Sequence, residues 1–342
     1  MKAVCQAGYG GAEQLSVQEV PLPKLEASSV LVRIVAVSVN AGDHHMLTGR
    51  PFLIRVAVGR QAIPGMDFSG VVHAVGSGVE CNFSEGDEVF GTADTKCGAF
   101  AEYISVPATN LVRKPEKVTW EEAAALPTAG MTALQSLRTG RPVETGGRVL
   151  INGASSGVGT FAVQLAKLMG ANVTGVCSTA NVAMVRSLGA DAVVDYKKES
   201  VEQAAAAAGE RYDKIIDAVG RLGWHRLLKP KGSHVAVALP NPESECVPCS
   251  LCAIACSPWC CCCLSSSKSH MFMQEVRAAD MDELAKMVAD GQLRPVLGLR
   301  LVGISEVPDA LAGHSETLGQ GHRTGKTVVS LRGVHSESME RE

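Results

Sequence analysis

The 342 residues are enough for two domains, each able to bury a core of its own. With 46% hydrophobic and 20% charged residues and a formal charge of −3, the chain is of ordinary globular composition and lacks the concentrated positive charge that nucleic acid binding needs. The opening stretch "MKAVCQAGYGG" has neither the apolar core of a secretory signal nor the arginine- and serine-rich character of a transit peptide. A cytoplasmic, reducing compartment without disulfides is the expectation.

From Met1 to about Val118 the chain runs in short alternating segments broken by glycine, proline, aspartate and asparagine. "SSVLVRIVAVSVN", "FSGVVHAVG", "EGDEVFGT" and "GAFAEYISVP" read as strands of a small β-rich domain. The texture changes at residues 119–137, "TWEEAAALPTAGMTALQSL". Thr119 can cap a helix carrying Glu121 and Glu122 in its first turn, and Pro127 interrupts that helix.

Beyond it, "GRVLING", "ANVTGVCS", "ADAVVDY", "YDKIIDAVG" and "GSHVAVAL" alternate with helical stretches, among them 158–168 and "NVAMVRSL". That alternation predicts a doubly wound parallel sheet, so the fold class is α/β. "EQAAAAAGE" reads as an exposed helix with a glycine stop, "MFMQEV" as a further strand, and "DMDELAKMVADGQL" as an amphipathic helix ending at Gly291. The acidic tail "HSESMERE" reads as disordered.

The strongest chemical signal is "VLINGASSGVGTFAVQLAKLMGA", an apolar strand that runs through a glycine-rich turn straight into an apolar helix. Gly153 permits the tight turn, Gly157 lets a diphosphate approach the backbone, and Gly159 lets helix and strand pack closely. The turn Gly153, Ala154, Ser155, Ser156, Gly157, Val158 and Gly159 then presents free N–H groups and a positive dipole end to phosphates. The adenosine end should lie after the next strand, at Cys177, Ser178 and Thr179. No carboxylate stands at that point of the sequence and two hydroxyls do, so Ser178 and Thr179 favour NADPH over NADH. Short-chain dehydrogenases share the G-x-x-x-G-x-G spacing but pair a tyrosine with a lysine four residues on. None of Tyr9, Tyr103, Tyr196 and Tyr212 has that lysine.

"CVPCSLCAIACSPWCCCC", residues 246–263, holds eight of the twelve cysteines. Cys246, Cys249, Cys252 and Cys256 have an iron–sulfur spacing, and replacing Cys256 by Cys260 gives a spacing suited to tetrahedral zinc. Four consecutive cysteines are poorly arranged for fixed coordination, and cysteine also serves as a small hydrophobe, so a metal-free buried or low-complexity segment is the preferred reading. Acylated cysteines tethering the chain to a membrane surface are a further alternative. Pro248, Pro258 and the serines argue against a spanning helix.

The stretches "SVNAGDHHMLTG", "IPGMDFSGVVHAVG", "GDEVFG", "GAFAEYISVP", "EEAAALPTAGMTAL", "NGASSGVG", "SLGADAVVDY" and "GHRTGK" occur in order over nearly all of residues 1–332. In this the chain resembles the medium-chain dehydrogenase/reductase superfamily, in its zinc-free quinone oxidoreductase-like (zeta-crystallin-like) branch. The resemblance implies a GroES-like catalytic domain over 1–122, completed by about 280–332, and a Rossmann domain over 123–279, with 333–342 left as the tail. It implies NADPH bound in the cleft between the domains, and hydride transfer to quinones or to double bonds conjugated with a carbonyl.

Zinc-dependent relatives carry a cysteine in the place of "VNAGD" and a histidine in the place of "PGMDF". Neither is present, so no metal is expected, and alcohol oxidation is disfavoured. By position in the family pattern, Asn40, Asp43 and His45 face the cleft, Asn40 as a donor to the substrate oxygen and His45 as a donor or proton relay. Asn40 and Asp43 also fit a purely structural role in a loop. Thr132, Val219 and Gly220 fall near the nicotinamide and Tyr196 near the adenosine. The resemblance also implies a homodimer. A nucleotide-binding protein of little turnover, acting through a partner or at an organelle membrane, is the alternative, motivated by the cysteines and by a short "DAVGRLGWHRLLKPKGSHV" segment.

Overall fold

The computed structural model describes residues 1–50, 52–79, 83–207, 209, 211–220, 224–237, 268–272, 274–317 and 324–331. The cysteine cluster and the 333–342 tail lie outside the described residues. Two compact units divide the chain, one of Met1–Met131, Glu275–Leu318 and Lys326–Glu342, the other of Thr132–Gln274 and Gly319–Gly325.

In the first unit, β1 (Lys2–Gln6) and β2 (Leu15–Glu19) form an antiparallel pair. β3 (Ser29–Val39) is buried along its length except at half-buried Arg33, as its valine-, leucine- and isoleucine-rich sequence requires. Its Asn40 terminus opens α1 (Ala41–Thr48), and α2 (Leu53–Ala57) follows. β4 (Asp67–Val75), β5 (Glu88–Thr92), β6 (Tyr103–Pro107) and β7 (Leu111–Arg113) continue the antiparallel pattern expected from the alternating segments.

Thr119 caps α3 (Trp120–Ala125) through a capping box, its hydroxyl accepting from the Glu122 amide while the Glu122 carboxylate accepts from the Thr119 amide. Pro127 then starts α4 (Pro127–Arg138), a second helix where the sequence showed an interruption.

The second unit contains β8 (Arg148–Asn152), α5 (Gly157–Leu168), β9 (Asn172–Cys177), α6 (Val182–Ser187), β10 (Ala192–Asp195), α7 (Val201–Ala207), β11 (Tyr212–Asp217), β12 (Leu228–Ala236) and β13 (Lys268–Met271). All pairings are parallel and the spatial order is β10-β9-β8-β11-β12-β13, which places the reversal of winding between β8 and β11.

Two expectations are corrected here. The alanine helix α7 is not simply exposed, since Val201 and Ala205 are buried in the core with Val194, Tyr212 and Trp224. The strand expected at "MFMQEV" lies upstream at Lys268–Met271. β12 ends at Ala236, opposite Met271, and Gln274–Val276 belong to no strand. Between β11 and β12 the described residues hold a 3-10 turn, Trp224–Leu227, and the Trp224 side chain is buried in the same core.

The chain re-enters the first unit through α8 (Ala278–Ala289), β14 (Leu297–Val302), α9 (Val307–Thr317) and β15 (Lys326–Ser330). β15 lies between β14 and β3, giving a sheet ordered β14-β15-β3-β4-β5-β7 with β6 also on β3. Its core gathers Val32, Val37, Phe68, Val89, Phe100 and Val329.

Candidate active site

In the first unit the end of β3, the start of β4, the start of α4 and the start of β15 bring five polar side chains together in the interior. Asn40 caps α1: its backbone N–H donates to Asp43 Oδ2 at 2.7 Å, and the reciprocal half of the capping box is also formed. The Asn40 amide is held at both ends. Nδ2 donates to Asp67 Oδ2 at 2.9 Å, and Oδ1 accepts from Lys326 Nζ. Thr128 donates to Asp67 from its backbone (3.1 Å) and its hydroxyl (2.6 Å). Lys326 also donates to the Val39 carbonyl at 3.1 Å and lies 4.0 Å from Asp67.

Two carboxylates and one ammonium are thus buried together, with Asp43 and Asp67 both fully inaccessible. Burial, and after it the charge of Asp67, pushes the Asp43 carboxyl up to about 7, against the lowering effect of the Asn40 amide and Lys326. Its Oδ1 is buried without a hydrogen-bond partner among the described residues. This arrangement bears directly on the loop-fixing reading of Asn40 and Asp43: each holds the β3–α1 corner. Asn40 nevertheless has a second Nδ2 hydrogen beyond the one given to Asp67.

His45 stands on the same helix but shares none of these bonds. Its Nδ1 is 2.9 Å from the Arg50 carbonyl, which can only accept, so Nδ1 carries the proton. Burial lowers the imidazole pKa, and the neutral ring then exposes Nε2 as an acceptor. At neutral pH the ring therefore holds one proton, on Nδ1, and can accept another at Nε2.

In the second unit, β8 ends at Asn152 and β11 ends at Asp217, side by side where the winding reverses. Asn152 Nδ2 donates to Asp217 Oδ1 at 2.7 Å, and the Val219 and Gly220 amides donate to the same oxygen at 3.1 Å each. Burial would raise the Asp217 carboxyl, but the hydrogen bond with His234, and after it those from Asn152 and the Val219 amide, hold it below the usual range. The two amide bonds also fix Val219 and Gly220 opposite the glycine turn.

Gly153 has φ +74°, and a Cβ there would lie 2.8 Å from Val219 Cγ2. A Cβ on Gly159 would lie 2.1 Å from the Gly153 carbonyl oxygen, so only glycine lets α5 approach this closely. Ser156 caps α5, accepting from the Gly159 amide at 3.0 Å; Ala154 and Ser155 are buried behind it. The amides of Gly157 and Val158 open the helix. The backbone of Gly325 donates to the Ser155 carbonyl and pairs with Ser156, while the Thr324 hydroxyl donates to Asn181 Oδ1, so Thr324 and Gly325 lie along the turn.

At the end of β9, Ser178 is buried beside Asn181. Thr179 is not free to donate outward, because its hydroxyl donates to Asp195 Oδ2 at 2.7 Å. A carboxylate distant in the sequence thus stands against one of the two hydroxyls expected to face a 2′-phosphate. Asp195 ends β10 in register with Cys177, a neighbour across the sheet that linear reading misses. Burial would raise its carboxyl, but Thr179, the Lys197 amide and Lys198 together hold it low. Tyr196, 37% exposed, lines a depression of about 330 Å³ with Lys197 and Lys198. Thr132 is not gathered with these residues; its hydroxyl donates to Gln274 Oε1 at 2.7 Å.

The roles of Lys326, Asp67, Thr128, Asn152 and Asp217 were not assigned from the sequence. Lys326 stood in the quoted "GHRTGK", and a buried cation 287 residues from its β3 partner Val39 has no local signal.

Residues 26–116 match the alcohol dehydrogenase GroES-like domain family and residues 157–256 the zinc-binding dehydrogenase family. Neither Asn40 nor Met66 supplies the thiolate or imidazole found there in zinc-dependent members; Met66 packs on Met46 and Cys97 instead. The chain is similar to the quinone-oxidoreductase QR1, chloroplastic, of Triphysaria versicolor, with 32% identity over 96% of this chain and 98% of that one. It is also similar to the NADPH-dependent alkenal/one oxidoreductase, chloroplastic, of Arabidopsis thaliana, with 35% identity over 64% of this chain and 58% of the other. Among solved structures, the quinone oxidoreductase from Coxiella burnetii superposes with TM-score 0.83 at 29% identity, covering 97% of this chain and 99% of that one. End-to-end likeness of this kind, on a GroES-like unit joined to a Rossmann sheet, makes the chain a member of the medium-chain dehydrogenase/reductase superfamily, in its quinone oxidoreductase-like branch.

Proposed function

We propose that the chain is an NADPH-dependent, zinc-independent oxidoreductase that delivers hydride to quinones or to carbon–carbon double bonds conjugated with a carbonyl. The observation that carries this reading is the glycine turn at the reversal of the sheet, where an added Cβ would close the approach of helix to strand. When bound, the dihydronicotinamide supplies the hydride. The names of the two plant relatives and of the bacterial structure favour these acceptors.

The chain's own residues have three tasks. The Gly157 and Val158 amides at the start of α5 hold the diphosphate. Ser178, with Lys197 and Lys198 at the neighbouring depression, receives the 2′-phosphate, and the exposed Tyr196 ring lies along the adenosine. The second Nδ2 hydrogen of Asn40 is the donor for the acceptor's carbonyl oxygen, where negative charge grows. Lys326 on Asn40 Oδ1 polarises that amide and strengthens its N–H as a donor, and Asp43 positions it through the β3–α1 corner.

The decisive experiment follows NADPH absorbance with a panel of quinones and enals. Oxidation with at least one of them is expected. Saturable NADPH binding with no oxidation by any acceptor would replace this reading by that of a coenzyme-binding protein acting through a partner.

A further inference from the structure

The segment after α1 is built unlike the rest of the surface. Residues 44–66 contain Arg50, Arg55 and Arg60 and not one carboxylate. Within the segment, α2 is apolar on two faces. Ile54 and Val58, one helical repeat apart, pack inward against the cluster of Met46, Met66 and Cys97. Phe52 and Val56, also one repeat apart, face outward, each 71% exposed. They are the most exposed large hydrophobic side chains among the described residues.

The outward face is held rigidly by its arginines. Arg55 donates to the Gly49 carbonyl at 3.0 Å and lies 4.6 Å from the centre of the Tyr9 ring. Arg60 donates to the Gln6 and Ala7 carbonyls at 2.8 Å each. Carbonyl oxygens and an aromatic ring orient these guanidinium groups without neutralising them. Glu13, on the turn packed against α9, turns its carboxylate back onto the Gly11 amide. Arg50 is exposed as well. An exposed apolar pair thus shares its segment with three arginines that have no ion pair among the described residues, Arg55 lying 6.0 Å from the Phe52 ring, on a helix whose opposite face packs on Met46, Met66 and Cys97.

We infer that this face docks the protein on an anionic lipid bilayer. Phe52 and Val56 enter the headgroup and acyl boundary, and Arg50, Arg55 and Arg60 meet lipid phosphates. Pairing an apolar face with flanking cations is what interfacial binding requires, and neither property alone explains the other. The contact proposed is peripheral; no helix among the described residues is long and apolar enough to cross a membrane. The inference stands apart from the reductase reading, because it concerns a surface and not the reaction.

The test is co-sedimentation of the full chain, without coenzyme or acceptor, with vesicles of phosphatidylcholine alone or mixed with phosphatidylglycerol. Partition into the anionic vesicles, reduced by added salt, is expected. Phe52→Ser with Val56→Ser should lower it roughly tenfold or more, from lost apolar burial. Arg50→Gln alone should lower it about fivefold. Both changes touch exposed side chains, and an unchanged melting temperature shows that the variants are folded. Absence of partition, equal binding to neutral vesicles, or full binding by the double variant would overturn the proposal. So would loss of self-association in place of vesicle binding, which would assign the face to a second copy of the chain. Failure here leaves NADPH oxidation untouched, and failure of that assay leaves vesicle binding untouched.

Discussion

At the scale of single residues, the fold controls protonation most directly at Asp43. Its carboxyl is raised from an ordinary 3.8 to about 7, burial first and Asp67 after it, so the native state holds a proton that the unfolded chain has released. The stability this gives is full below the unfolded value and disappears as pH rises through the folded one. Asp43→Asn keeps an acceptor for the Asn40 amide and removes the titration. Relative to the parent chain it should gain on the order of 4 kcal/mol between about pH 4 and about pH 7, read by urea unfolding at the two ends of that window. Ser178→Asp places a second carboxylate near Asp195, at the end proposed for the ribose. The ratio of kcat/KM for NADPH to that for NADH should fall at least tenfold, about 1.4 kcal/mol; an unchanged ratio would remove Ser178 from the 2′-phosphate site. The glycines of the turn were legible because sterics restrict them locally. Asp195 and Lys326 were not, because their meaning depends on a parallel neighbour and on a strand hundreds of residues away.

Among the elements, α4 and α5 show how much rests on helix ends. Lys214, 1% exposed on β11, reaches the last carbonyls of α4 and its cap, donating to Leu137 at 2.6 Å and Thr139 at 2.7 Å. Burial lowers its pKa from 10.5 to about 8. Between those values the unfolded chain binds the proton and the native chain does not, so the parent should gain stability relative to Lys214→Met as pH rises through that interval. A flat difference in thermal unfolding over that range would contradict the assignment. Gly159→Ala forces α5 away from Gly153 and should weaken NADPH binding at least tenfold by calorimetry, the equivalent of about 1.4 kcal/mol. The break at Pro127, the Thr119 cap and the start of α5 could all be read in advance, since each is written in adjacent residues. The half-buried α7 could not: its alanines carry no periodic contrast, and Val201 and Ala205 are buried only because β10, β11 and Trp224 pack there.

For the molecule as a whole, alternation of strand and helix disclosed both architectures, but the sharing of the first unit between the two ends of the sequence came from resemblance alone. Each unit has its own core, so coenzyme should stabilise them unequally. At about a hundred times its Kd, NADPH adds roughly 2.7 kcal/mol to whatever unfolding exposes its site. Hydrogen exchange should show that protection at Gly153–Gly159 and Val219–Gly220 and leave β3 and β4 unchanged.

β15 carries a different lesson. It is inserted between β14 and β3, pairing Thr327 with Val39 and Val328 with Ser38, and it brings Lys326 to Asn40. During synthesis, β3 must wait on the ribosome with that flank unsatisfied until almost three hundred further residues have emerged, while the nucleotide unit can close earlier. The amino-terminal strands are therefore the clients that chaperones would hold longest, and a nonsense codon ahead of Lys326 would strand a finished Rossmann sheet beside an open one.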